Sequence, residues 1–89
     1  MNKLRRKELS AIIAKLEELE SLRQEISEQL EAVKDEEEES LDNLPESLQE
    51  GERGQQMQEY IDTMESIMDD LDSIDVDDLT SQLQDIVEG

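Results

Sequence analysis

The chain has no cysteine and no histidine. Without thiols there is no disulfide framework and no thiol chemistry, which suits a reducing cytoplasm. Without imidazole, the commonest nucleophile–base pairs are missing. Phenylalanine and tryptophan are absent and Tyr60 is the single aromatic residue, so the large side chains that anchor compact cores are nearly lacking. Basic groups are scarce: eight face twenty-seven carboxylates, for a net charge of -19. Such a surface repels phosphate, so direct binding to nucleic acid or to an anionic membrane is not expected. Long apolar runs are missing too. The N-terminus is basic as far as Lys7, like the start of a signal peptide, but the longest apolar stretch, Ala11 to Ala14, is stopped by Lys15. That is too short for a signal-peptide core or a membrane span, and a cytoplasmic protein is the expectation.

What is present is periodicity. Leu9, Ile12, Leu16, Leu19, Arg23, Ile26, Leu30 and Val33 alternate steps of three and four residues, and so do Met57, Tyr60, Met64, Ile67, Leu71 and Ile74. This is a coiled-coil seam written twice. High charge with low hydropathy would otherwise suggest disorder, but a disordered chain has no reason to keep two seams in register. The fold class expected is all-α: an antiparallel two-helix hairpin forming a single domain over residues 1–89. Its helices should cover about 3–39 and about 52–87, with a linker at about 40–51. Two helices bury only one seam between them, so a homodimeric four-helix bundle is expected, with a marginal monomeric hairpin as the plainer alternative.

Arg23 sits at a seam position, where a lone charge fixes register if it finds a carboxylate. With the turn centred near Ser47, residues 69–72 come level with it. Residues 1–15 hold five basic groups and one acidic, whereas residues 51–89 hold one basic and twelve acidic. Antiparallel folding brings these segments side by side; each exposed pair contributes little, but the pattern favours the hairpin over parallel pairing. Residues 36–39 are four glutamates at a helix end, where they oppose the macrodipole. Pro45 forbids one continuous helix and is suited to open a short helical turn ending near Gln49. Gly51 is placed to cap the second helix. Asp78 falls where an apolar residue is due, with Leu79, Leu83 and Ile86 following after a slip. The second helix is expected to continue through this point because no glycine or proline intervenes; the alternative is a separate helix capped by Asp75 or Asp77.

Candidate chemistry is sparse. Paired carboxylates can serve as acid and base only in a cleft that shifts their pKa values, and a two-helix rod offers none, so no enzymatic activity and no cofactor are expected. Asp69, Asp70, Asp72, Asp75, Asp77 and Asp78 crowd ten residues. They lack the glycine and twelfth-position glutamate of a calcium loop, and a solvated acidic face is the simpler reading, with no dedicated metal site. Met57, Met64 and Met68 are better explained by seam packing than by a peptide-binding surface. A carboxylate-coated rod can also imitate the charge of duplex DNA, which leaves an acidic DNA-mimic inhibitor as the alternative function. Self-repulsion among so many carboxylates should relax as pH falls from 7 towards about 4–5, raising stability.

The segment from Leu41 through Leu44-Pro45-Glu46-Ser47-Leu48-Gln49, followed by Glu52-Arg53-Gly54, resembles a family of short, acidic, uncharacterised bacterial proteins, often carried by phages and mobile elements. The basic opening from Asn2 to Lys7 and the later stretch from Ile61 to Ile67 are similar as well. Gly51 stands where the family more often has serine. The resemblance implies a bacterial or phage setting and brings no activity with it. It also implies a linker contact surface of Leu44, Pro45, Leu48 and Arg53, although closing the hairpin explains that segment equally well.

The functional expectation is a non-enzymatic helical interaction or assembly module. Leu16, Leu19, Ile26, Leu30, Met64, Ile67 and Leu71 form its self-association seam, and Arg23 is the register or ion-pair residue. The partners expected are a second copy of the chain and a basic protein.

Overall fold

The computed structural model describes residues 1–89. It is all-α: α1 is Lys3–Asp42, α2 Glu46–Gln49, α3 Glu52–Asp72 and α4 Val76–Glu88. No peptide bond is cis and no residue has positive φ. The residues fall into two compact units, one of Met1–Glu25 with Ile74–Gly89 and one of Ile26–Ser73, and α1 contributes to both.

α1 holds no glycine or proline and is dominated by Leu, Glu, Lys, Arg and Gln, which favour helix. It starts where the Asn2 carboxamide oxygen accepts from the Arg5 N–H at 2.8 Å. It ends three residues later than about 39, so of the glutamates at 36–39 only Glu39 lies in its last turn.

In the unit Ile26–Ser73, Leu44 begins the break because the proline after it disfavours helical geometry. Pro45 takes φ -55 and ψ 145 and caps α2 from outside, one position earlier than a first helical residue. Its carbonyl accepts from the N–H groups of Leu48 and Gln49. The Gln49 carboxamide then donates back to the carbonyls of Asp42 at 3.2 Å and Leu44 at 2.8 Å, satisfying acceptors that the end of α1 leaves open. Gly51 is the extended N-cap of α3, as its position suggested. Gly54 is buried because the backbone of Gln49 lies directly against it. Across the break, the Lys34 ammonium on α1 meets the Glu65 carboxylate on α3 at 3.5 Å.

The unit Met1–Glu25 with Ile74–Gly89 corrects one expectation. The helix starting at Glu52 does not continue to about 87; it stops at Asp72, and α4 starts afresh at Val76. Asp75 is the N-cap, its Oδ1 accepting from the Asp78 N–H at 3.0 Å. Charge explains the break without glycine or proline. Within a continuous helix, Asp75, Asp77 and Asp78 would be indifferent helix formers. At an N-terminus Asp75 satisfies a free N–H group, and all three meet the positive end of the dipole. Val76, the first residue of α4, is 1 % exposed.

Candidate self-association surface

In both long helices the residues that decide the packing fall at heptad positions a, d and e, and e is apolar on α3 but mostly polar on α1. On α1 position a holds Leu9, Leu16, Arg23 and Leu30, which are partly buried. Position e (Arg6, Ile13, Glu20, Ser27, Lys34 and Leu41) is also turned inward. Position d, with Ile12, Leu19, Ile26 and Val33, is exposed. α3 repeats this. Met57, Met64 and Leu71 at a, with Gly54, Ile61 and Met68 at e, are inward. Tyr60 and Ile67 at d are outward, and Ile74 beyond the helix end prolongs their line. α4 repeats it again, with Val76, Leu83, Thr80 and Val87 inward and Leu79 and Ile86 outward. All nine outward residues are 44–52 % exposed.

The seam expected from the sequence therefore divides. Leu16, Leu30, Met64 and Leu71 are half-buried within the chain, whereas Leu19, Ile26 and Ile67 face solvent. Sequence reasoning missed Ile13, Ile61 and Val76, which with Met57 are the buried hydrophobic residues. For Ile13 and Ile61 the signal was present as an apolar side chain four residues after a seam position; Val76 follows no seam residue at that spacing and is buried because α4 starts afresh there.

On α1 the two lines are chemically inverted. The outward line is Ile12, Leu19, Ile26 and Val33, every one aliphatic. Of the six inward e residues, Arg6, Glu20, Ser27 and Lys34 are polar or charged, and only Ile13 and Leu41 are apolar. Arg6 has its Nε buried without a hydrogen-bond partner. Glu20 receives Arg23 as a two-pronged pair, Nε to Oε2 at 2.9 Å and Nη2 to Oε1 at 2.5 Å. Lys34 is shared among Glu38 at 3.4 Å, Glu65 at 3.5 Å and Asp35 at 3.8 Å.

The hydrogen bond from Arg23 holds the Glu20 carboxyl below its ordinary value. Partial burial opposes this, and Gln24 and the Arg23 charge reinforce it. Burial pulls the Lys34 ammonium down, but Glu38, Glu65 and Asp35 outweigh burial and hold it above its ordinary value. The signs set two windows. Lys34 contributes fully below 10.5 and loses that contribution only as pH rises through its raised value, so it is silent near neutrality. Glu20 contributes above 4.5 and loses its part as pH falls through its lowered value. We expect the melting temperature to fall at acid pH, below 4.5, as the Glu20 carboxylate protonates and its pair with Arg23 is lost. In Glu20→Gln the acid fall should be shallower, measured by circular-dichroism melts across pH. An equally steep fall in the variant would assign the acid loss to other groups.

Of the linker residues, Leu44 is half-buried while Pro45, Leu48 and Arg53 are exposed. A shallow, open depression beside them is lined by Glu52, Arg53, Gln55, Gln56 and Glu59. No three carboxylates converge as a metal site, and no helix is long and apolar enough to cross a membrane. Comparisons with protein-family models, curated proteins and solved structures give no match.

Proposed function

We propose that this protein is a non-enzymatic assembly module: a helical hairpin that pairs with a second copy as a four-helix bundle, working in the cytoplasm. The observation that carries the reading is the inversion on α1, where a wholly aliphatic line faces water while Glu20 and Lys34 face inward. With Glu20, Ser27 and Lys34 turned towards the chain, the aliphatic line at d is left for a second neighbour beside the one the chain supplies itself. In an antiparallel hairpin the outward lines of both helices come to the same side. Each lies on the same rotational side of its own seam, and reversing one helix mirrors it. Within residues 26–73 this puts Ile26, Val33, Tyr60 and Ile67 on one side, flanked by carboxylates that suit solubility and a basic protein partner. The linker residues Leu44, Pro45, Leu48 and Arg53 lie away from that face's centre and are available to an outside partner.

The test is Leu19→Glu combined with Ile67→Glu, compared with wild type by sedimentation equilibrium at low and high salt. We expect a wild-type dimer that persists or tightens at high salt, and a monomeric, still helical variant. The DNA-mimic alternative rests on the net charge of -19. It requires instead a monomer that displaces DNA from a basic protein and loses that ability as salt screens the charge.

A further inference from the structure

We infer that the second copy docks with its α1 antiparallel to the first, the two outward lines meeting about a two-fold axis that passes between Leu19 and Ile26. This rests on the assembly reading above and adds the orientation that reading leaves open. The outward apolar line of α1 runs from Ile12 to Val33 and is centred between Leu19 and Ile26. A two-fold axis there overlaps it completely, placing Ile12 level with the partner's Val33 and Leu19 level with the partner's Ile26.

Charge chooses between this arrangement and its competitors. α1 is one helix with unlike halves. From Lys3 to Arg23 it carries six basic groups and four carboxylates; from Glu25 to Asp42 it carries nine carboxylates and Lys34 alone. Parallel docking of α1 on α1 sets the two acidic halves against each other. Docking α1 on the partner's α3 sets its acidic half against a helix with seven carboxylates and one base, whereas stacking like on like confines that repulsion to the two α3 helices. Antiparallel docking of α1 on α1 places each acidic half beside the one stretch of the molecule with a basic excess, with Lys3, Arg5 and Lys7 opposite the 36–42 region. Like-charge juxtaposition is a strong determinant of orientation even where each attractive pair contributes little. The acidic halves also end at opposite ends of the assembly.

The absence of cysteine permits a direct test on the whole chain. Ile12→Cys and Val33→Cys, both at exposed positions, are made as single variants carrying tags of different mass. They are treated with a short bismaleimide, separately and after mixing. The two positions are 21 residues apart on one helix, about 30 Å at 1.5 Å per residue, so the cross-linker cannot confuse the orientations. We expect a mixed Ile12→Cys/Val33→Cys adduct at least tenfold more abundant than either self-adduct. Light scattering on wild type and both variants runs alongside. A dimer giving the two self-adducts overturns the antiparallel orientation, and a dimer giving no adduct overturns the use of this face of α1; in both cases the assembly module stands. A monomer throughout overturns the inference and the assembly reading together.

Discussion

Gly54→Ala should destabilise the protein by about 2 kcal/mol, where the same change in an ordinary helix interior gains up to about 1 kcal/mol. A Cβ built at this position would stand 2.7 Å from the Gln49 Cα and closer still to its carbonyl carbon and oxygen. All three are backbone atoms, which cannot rotate aside as a side chain would. Either α2 lifts from α3 or the two carbonyl contacts of the Gln49 carboxamide are broken, and with them the closure of the break. For a chain of this size the melting temperature should fall by roughly 8–16 °C. Gly51→Ser is the control, since its new Cβ meets nothing nearer than the Ser47 carbonyl at 3.4 Å, and serine is at least as good a cap as glycine. If Gly54→Ala melts with or above wild type, α2 does not press on α3 and the account of the linker is wrong.

Ile61→Ala should cost about 2–4 kcal/mol, measured by urea denaturation at low protein concentration. Ile61 is 3 % exposed and lies on the inward line of α3, so its truncation removes buried methyl groups and leaves a void. Ile67→Ala, one turn and a half further on and 44 % exposed, should cost well under half as much in the dilute chain. The comparison reads the helix rotation directly. Equal losses, or a larger loss at Ile67, would place position d rather than e against the rest of the chain.

That rotation is where the sequence was least legible. Helix content, the break at Pro45 and the start of α3 after Gly51 could all be read from spacing, because periodicity and turn chemistry act locally. Which of the lines at a, d and e a helix turns towards its own chain is a long-range choice. Glu20, Ser27 and Lys34 made position e look like surface, so a and d were taken as the seam. The inward face proved to be a and e, with Ile13, Ile61 and Val76 contributing the burial. The end of α3 was missed for a related reason. A helix usually breaks at glycine or proline, whereas here Asp75 supplies the cap and its neighbours Asp77 and Asp78 gain from the dipole. Nothing in the spacing singled out Gly54, because the atom that requires it, five residues earlier, arrives only once α2 has folded.

The separation of α4 from α3 has a kinetic consequence. A helix of 13 residues is near the length at which isolated helices are marginal in water, so α4 persists by resting its apolar residues on its own unit. Only Ser73, Ile74 and Asp75 join it to α3, and the hydrogen bonds of Ser73 run back into α3 while those of Asp75 run forward into α4. α4 can therefore melt and re-form as a separate cooperative segment while α3 stays intact. Its amide protons should exchange with solvent through these brief excursions, well ahead of those near Ile61, and a protease would find its first cut there.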